Sequence, residues 1–329
     1  MELSPEQLFD NKVSSYIIMT VGTFGILINF HVIMALRRCK SFGYTFGRIC
    51  MSHTVANFGN AFVFTCYVAP ITLINPEFHK SYMGIRAGQV LILFWNASVL
   101  SHFMTALNRC VVMFFPLRHE NIFSKRVTDT AIAFLWIFSI CQVIPYLAVS
   151  QSESSGLNYR NPFSGMPLRL PHRTFTFFFG SSPCSVIIGT YTDYYFSIFM
   201  ICAIGTLDFT TFIKIKLMHK SVKLNDDMTK RRRREIKFFF QAVCQGLAFM
   251  TELVSFFYIC LQFENKWMRF VFTTFAWLTV HMLDGLIVIA FNKEIRTFRV
   301  ITSNSTIYGS VTETNASTAK VVPTGTVTA

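Results

Sequence analysis

Seven long apolar stretches, each bounded by polar or basic residues, limit what this chain can fold into. A helix needs about 20 mostly apolar residues to cross the hydrocarbon core of a membrane, and each stretch is long enough to do so. The sequence therefore predicts an all-α membrane protein, a bundle of seven transmembrane helices. The predicted spans run near Tyr16–Leu36, Tyr44–Ala69, Gln89–Phe115, Thr128–Val149, Tyr191–Leu217, Ile236–Gln262 and Trp267–Ala290.

The composition excludes the usual soluble classes. Of the 329 residues, 52% are hydrophobic and 14% are charged, whereas a soluble domain carries roughly 25% charged residues. So few charges cannot coat a water-facing surface, and the same apolar excess excludes a disordered chain. A net charge of +13 suggests nucleic-acid binding only until it is mapped along the chain. The distribution of the positive charge along the chain indicates orientation in a membrane instead, and we expect no nucleic-acid partner.

The basic residues set the expected direction of insertion, because Lys and Arg concentrate in cytoplasmic loops. With the N-terminus outside, most of the 30 Lys and Arg residues fall in the cytoplasmic loops and tail. The predicted organisation is a short extracellular N-terminus (1–15), the bundle (16–291), a short amphipathic eighth helix (292–300) and a disordered cytoplasmic tail (301–329). That tail is rich in Ser and Thr; it serves either for phosphorylation and capture by an arrestin-type regulator or only as a solvated end.

Arg109 is the first candidate functional residue, because ionisable groups inside a membrane are costly and usually functional. It lies at the cytoplasmic end of the third span, directly after Asn108. A long cation at this position can pair inside the bundle or swing toward a partner, which suits an activation switch. The alternative is an arginine that only extends its charge to the membrane surface.

A second group of polar residues lies inside the first, second and seventh spans. Asp284 is a buried carboxylate, and such a group needs partners; amides, water or a sodium ion could serve. His281 lies one turn before Asp284, and a His-x-x-Asp pair also occurs in metal sites and hydrolases. With no other histidine cluster in the sequence, we expect neither a catalytic site nor a metal centre. The predicted network comprises Asn29, Asn57, Asn60, Asn108, Arg109, His281 and Asp284.

Two further carboxylates lie in predicted spans. Asp208, toward the cytoplasmic side of the fifth span, is expected to meet a polar residue of a neighbouring helix. Glu252, in the outward half of the sixth span, faces either a ligand cavity or another helix. Cys184, in the second outer loop, is either free or paired with Cys66 or another cysteine, and spacing does not decide between these.

Several single positions resemble the rhodopsin-like G-protein-coupled receptors. Gly25-x-x-x-Asn29 is similar to their first-helix signature, and Trp136 followed by Pro145 is similar to their fourth helix. The Asn108–Cys110 step stands in place of the Asp/Glu-Arg-Tyr switch, and the run 284–288 stands where Asn-Pro-x-x-Tyr would fall.

The chain also departs from that pattern. Asn57 occupies the usual position of an aspartate and Asp284 that of an asparagine, so the two look exchanged. The sixth span has Leu253 and Ser255 in place of Trp-x-Pro. The third helix starts near Gly84 without a cysteine, so the usual disulfide to the second outer loop cannot form.

A narrower resemblance is to the nematode serpentine chemoreceptors of class x. It rests on the runs 107–109, 115–124, 234–236 with Gln241 and Gln245, and 267–294, and it covers about Gly25–Arg296. The resemblance implies a chemosensory receptor in sensory-neuron membranes that signals through a heterotrimeric G protein, with no known ligand. It implies a multi-pass protein of the plasma membrane, with the cilium of a sensory neuron as one candidate location, surrounded by lipid.

Depth in the membrane then gives candidate sites. A small apolar or weakly polar ligand would enter an outward-facing cavity among the third, fifth, sixth and seventh spans. The candidate ligand-binding residues are Trp95, Asn96, Tyr194, Glu252, Phe256 and Trp277. A cytoplasmic cleft would receive the G protein at Arg109, Pro116, Leu117, Arg231, Arg234 and Lys237.

Two other functions stay open at this point. A ligand-gated channel of the insect odorant-receptor kind also has seven spans, but in the inverted orientation that the charge distribution disfavours. A non-signalling accessory membrane protein, or a receptor that has lost coupling, fits the replacement of the usual acid by Asn108.

Overall fold

The computed structural model describes residues 4–38, 42–154, 187, 189–219 and 226–297. Within these ranges the chain is helical and contains no strand, which confirms the predicted all-α class. Among the described residues, seven helices are long and apolar enough to cross a membrane: α1 Pro5–Arg38, α2 Tyr44–Ile74, α3 Tyr82–Phe114, α4 Lys125–Pro145, α5 Gly189–Leu217, α6 Arg233–Gln262 and α7 Lys266–Phe291. A short helix, α8 Lys293–Thr297, follows α7.

Two helices begin well before their apolar stretches, so the predicted starts at Tyr16 and Gln89 are too late. The first turns of α1 carry Glu6 and Asp10, and both carboxylates accept hydrogen bonds from Lys266 at the start of α7, that of Glu6 at 2.8 Å. The start of α3 is capped by Ser81, whose hydroxyl accepts a hydrogen bond from a backbone N–H. Hydropathy reports only the apolar part of a helix, and these ends are stabilised by polar contacts instead.

The third helix is at the centre of the bundle. α3 packs against α2, α4, α5 and α6, while α1 packs against α2 and α7. The α2–α3–α4 contact is fixed by Ser52, which accepts a hydrogen bond from the indole of Trp136 at 3.0 Å and lies 3.1 Å from the hydroxyl of Ser101. Polar side chains on α3 therefore face other helices rather than lipid.

Four of the helices contain a π-helical segment among the described residues. These segments are Phe64–Val68 in α2, Gly189–Tyr195 in α5, Ser255–Ile259 in α6 and Val271–Phe275 in α7. Successive spans run in opposite directions, so the end of the bundle where α2 and α6 finish is also the end where α5 and α7 begin. All four π-helical segments lie at this end. Such segments often occur at functional sites, since the wider turn redirects the side chains that follow it.

Candidate functional site

At the carboxyl-terminal end of α3, Arg109 is buried and paired. Its guanidinium donates a hydrogen bond from Nη1 to Oε2 of Glu235 in α6 at 2.5 Å. The guanidinium carbon also lies 3.8 Å from the ring centre of Phe46 and 5.2 Å from that of Phe238. The side chain is only 2% exposed, so the arginine pairs inside the bundle rather than extending to the membrane surface. Charge-assisted pairs of this kind are among the stronger hydrogen bonds in proteins.

The neighbouring Asn108 ties the same end of α3 to the connection that follows it. Its amide oxygen accepts a hydrogen bond from Nε2 of His119 at 2.8 Å. Asn108 is 1% exposed, so this contact takes place inside the protein. The side chain that replaces the usual acid is therefore occupied by the α3–α4 connection, and Arg109 is left to Glu235.

A cleft of about 490 Å³ opens beside the Arg109–Glu235 pair. Its walls come from the start of α2, the end of α3, the α3–α4 connection and the first turn of α6. Two of the residues predicted to contact a G protein, Arg109 and Arg234, line it. Lys237 lines a smaller pocket of about 100 Å³ that shares Arg234 with the cleft.

The other predicted contact residues lie beside this cleft or outside the description. Pro116 and Leu117 follow the end of α3 and are exposed, Leu117 to 95%. Arg231 belongs to the helical segment Asp226–Val254 that leads into α6, but its side chain lies outside the described residues.

In the middle of the bundle, the structure brings Asn57 and Asp284 into direct contact. The amide nitrogen of Asn57 donates a hydrogen bond to Oδ2 of Asp284. The amide oxygen of Asn57 accepts hydrogen bonds from the hydroxyl of Ser98 at 2.7 Å and from Nδ1 of His281 at 2.8 Å. One asparagine thus joins α2, α3 and α7, which gives the apparent exchange of Asn57 and Asp284 a direct physical meaning.

Asn29 and Asn60 hold the network to the neighbouring helices. The amide of Asn29 donates to the carbonyl oxygens of Gly25 at 2.9 Å and His281 at 3.0 Å, which joins α1 to α7. With its amide oriented so that both of its polar groups are satisfied, Asn60 donates to the carbonyl of Leu91 at 3.3 Å. The five predicted network residues of the first, second and seventh spans therefore lie in one connected polar layer. They are Asn29, Asn57, Asn60, His281 and Asp284.

This layer also contains a residue that the sequence analysis missed. Nε2 of His53, in α2, lies 3.1 Å from Oδ2 of Asp284, within ion-pair distance but without hydrogen-bond geometry. The ring of His53 lies 5.6 Å from that of His102 in α3. The sequence did contain a signal for His53, because an ionisable residue inside a predicted span is a candidate by itself.

Two oxygens of the layer could hold a cation. Within the part of the chain that the structure describes, Oδ1 of Asp284 and Oδ1 of Asn29 are buried and accept no hydrogen bond. A Cβ on Gly285 would lie 2.9 Å from Oδ1 of Asn29, so this oxygen borders the residue next to Asp284. Oxygen atoms are the ligands that hard cations prefer, and each of these two oxygens has acceptor capacity that the described protein groups do not use.

At the opposite end of the bundle is a small cavity of about 30 Å³. Four predicted ligand-binding residues line it together: Trp95, Glu252, Phe256 and Trp277. The sequence analysis missed Asp193, which lines the cavity from the π-helical start of α5. Two carboxylates thus share a small aromatic cavity, and Oε2 of Glu252 is buried without a hydrogen-bond partner among the described residues.

The two remaining ligand-binding candidates do not line this cavity. Asn96 is 2% exposed and packs elsewhere in the interior. The hydroxyl of Tyr194 hydrogen-bonds that of Tyr258, and its ring lies edge-on to Phe257 at 5.0 Å. The prediction used only the depth of each residue in the membrane, which does not determine which side of a helix faces the cavity.

An aromatic contact connects the cavity to the polar layer. The ring of Trp95 lies 6.0 Å from that of Trp277 at the cavity and 5.9 Å from that of His281 in the layer. Both contacts are edge-to-face, the preferred arrangement of aromatic pairs. Two ring contacts therefore form a continuous packed path from the cavity to His281, which bonds Asn57.

The proposed disulfide of Cys184 falls outside the described residues. Within the described ranges the cysteines, Cys66 among them, are free thiols. The partner of Cys184 therefore stays open.

A bundle of seven membrane-spanning helices, with a buried arginine pair at one end and an aromatic cavity at the other, defines a multi-pass membrane protein of the seven-helix receptor type. Comparison with known proteins agrees: residues 19–292 match the family described as serpentine type 7TM GPCR chemoreceptor Srx. The match covers most of the chain, and the protein belongs to this family of seven-helix chemoreceptors.

Two named relatives come from Caenorhabditis elegans. Serpentine receptor class X 45 is 27% identical over 304 residues, which cover 87% of this chain and 80% of the relative. Serpentine receptor class X-43 is 25% identical over 226 residues, which cover 68% of this chain and 65% of the relative. The narrower resemblance seen in the sequence is therefore confirmed at the level of the family.

Proposed function

We propose that this chemoreceptor couples binding of a small ligand to activation of a heterotrimeric G protein, and that the structure represents its inactive form. The observation that carries this proposal is the buried Arg109–Glu235 pair, which joins α3 to α6 beside the 490 Å³ cleft. A partner that enters the cleft and takes over Arg109 must first separate it from Glu235. Separation of this pair would release α6 from α3 and widen the cleft.

Removal of the acid should raise basal signalling. Glu235→Gln keeps the size of the side chain but removes the charge, so the inactive form loses a charge-assisted hydrogen bond worth roughly 1.5–3 kcal/mol. We expect basal guanine-nucleotide exchange on a panel of Gα subunits to rise about tenfold in membranes containing the variant.

Glu264→Gln is the matched control, because Glu264 is an exposed acid directly after α6 and lies outside the cleft. It should leave basal exchange unchanged. Equal exchange by wild type and Glu235→Gln, at equal surface expression, would contradict the proposed lock.

The outer cavity is the proposed ligand site. Its volume of about 30 Å³ holds roughly one water molecule, so a ligand enters only if lining side chains move. The two carboxylates of Asp193 and Glu252 favour a ligand that donates hydrogen bonds or carries a positive charge, and the surrounding rings suit an apolar body or a cation. Movement of Trp277 and Trp95 would then pass to the polar layer.

We also propose that a sodium ion occupies the polar layer of the inactive form, bound by Oδ1 of Asp284 and Oδ1 of Asn29. Their burial without partners supports this. A ligand that binds only the folded state raises its stability by RT ln(1 + [L]/Kd). We expect Tm in sodium chloride to exceed Tm in potassium chloride of equal ionic strength by about 2 °C.

Asp284→Asn should remove that difference, because it takes away the charge that attracts the ion. A sodium-dependent difference of the same size in the variant would exclude this site.

Two further expectations belong to the same proposal. The receptor would act in the plasma membrane, in a sensory cilium if the cell has one. The tail from residue 301, which lies outside the described residues, would bind an arrestin-type regulator after phosphorylation.

A further inference from the structure

A second cavity, separate from the outer one, lies between α3, α5 and α6. It measures about 370 Å³ and its walls are almost entirely apolar. Phe209, Leu247 and Met250 border it and are 63%, 53% and 43% exposed. Exposed apolar side chains on membrane-spanning helices face lipid, so this cavity opens toward the hydrocarbon core of the bilayer rather than toward water.

Two polar side chains at this cavity lack partners. Both ring nitrogens of His102 and Oδ1 of Asp208 are buried and make no hydrogen bond within the described ranges. His102 is 1% exposed and Asp208 is 9% exposed. A buried polar group without a partner costs about 1–3 kcal/mol, and here two such groups line one apolar cavity.

Gly246 brings these two groups to the same point of the cavity. A Cβ built on this glycine would lie 3.1 Å from Nε2 of His102 and 3.8 Å from Oδ2 of Asp208. A side chain here would crowd His102, so the glycine lets α6 approach both polar groups, and all three residues line the same part of the cavity. The expected meeting of Asp208 with a polar residue of another helix is thus replaced by a shared opening with His102.

We propose that this cavity binds a small apolar molecule that carries one hydroxyl group and enters from the bilayer. The hydroxyl would donate a hydrogen bond to the carboxylate of Asp208 and accept one from His102, while the apolar body lies against α5 and α6. A hydroxyl both donates and accepts, which matches one acceptor and one imidazole. The volume lies at the lower end of the usual range for ligand sites.

Occupation of this site would act on the receptor at a different point from the outer cavity. The ring of His102 lies 5.6 Å from that of His53, which borders Asp284. The site also bridges α5 and α6, and α6 carries Glu235. A bound molecule would therefore bias the position of α6 from within the membrane.

The test uses the full-length protein in lipid nanodiscs and a diazirine-bearing octanol as a photoactivated probe, with attachment sites mapped by mass spectrometry. We expect saturable labelling of the segments that contain Phe209, Leu247 or Met250, with competition by unlabelled octanol. The methyl ether of the same probe cannot donate, and it should label about fivefold less.

Variants separate the cavity from ordinary lipid contact. Gly205→Leu should lower labelling about tenfold, since Gly205 lines the cavity and nothing lies within 4 Å of its Cβ position. Thr206→Leu, one residue away and exposed outside the lining, should leave labelling unchanged. Asp208→Leu keeps a branched side chain of similar size but loses the oxygens that accept from a hydroxyl, and it should remove the preference for the alcohol over the ether.

Three results would overturn the proposal. Absence of labelling at these segments excludes the site, and labelling that persists in Gly205→Leu shows only lipid contact. Equal labelling by the alcohol and the ether shows that the cavity binds apolar molecules without recognising the hydroxyl group. None of these readouts needs G-protein coupling, so the result does not depend on the function proposed above.

Discussion

Replacement of Arg109 with alanine should abolish activation of the G protein while the protein still reaches the cell surface. In the closed form Arg109 is committed to Glu235 and to the rings of Phe46 and Phe238. In the active form that we propose, it would be the cation that the cleft offers to a partner. Its loss removes a charge-assisted contact, and we expect exchange on Gα to fall by about tenfold or more.

Because the ligand is not identified, the measurement is best made in the Glu235→Gln background, which supplies the basal signal. The comparison is between that variant and the double variant with Arg109→Ala, with surface expression measured by an epitope tag. Arg86→Ala is the matched control, since Arg86 lies near the start of α3, at the opposite end of the same helix, and bonds Gln89 at 2.8 Å. Undiminished exchange in the double variant would rule out the switch role of Arg109.

The second large effect concerns the contact between Asn57 and Asp284. Asn57→Asp alone would place two carboxylates in contact inside the bundle, where like charges are poorly screened. We expect a loss of about 3 kcal/mol in the free energy of unfolding. The reciprocal double variant, Asn57→Asp with Asp284→Asn, restores one acid and one amide, and it should regain most of that loss.

The measurement is thermal unfolding of the purified protein in detergent, for wild type, each single variant and the double variant. A double-mutant cycle isolates the contact from other effects of each change. Asp284→Asn alone leaves two amides face to face and should cost less than Asn57→Asp. If the double variant is no more stable than Asn57→Asp alone, an acid and an amide cannot exchange places at this contact, and the prediction is wrong.

The fold could be predicted from the sequence because the hydropathy of each membrane-spanning helix is visible in its own residues. The seven predicted spans are all present as helices. Their ends were less predictable, as α1 shows: its first turns are polar and are fixed by Lys266, which is far away in the sequence. Hydropathy contains no information on such a contact.

The candidate site was predicted in part, for a related reason. Rarity of polar residues inside spans pointed to Asn57, His281 and Asp284, and the structure brings them together. Depth alone fixes height in the membrane but not rotation about a helix axis. This is why Asn96 and Tyr194 were grouped with the cavity and why the partnership of Arg109 with Glu235 was not anticipated.

The account depends most on which side of the membrane carries the Arg109–Glu235 cleft, and epitope tags at the two termini measure this in intact and permeabilised cells. We predict that the N-terminal tag is accessible in intact cells and that the C-terminal tag is accessible only after permeabilisation. The cleft would then face the G protein. The reverse result would place the cleft outside the cell, contradict G-protein coupling and favour a channel, to be tested by recording currents.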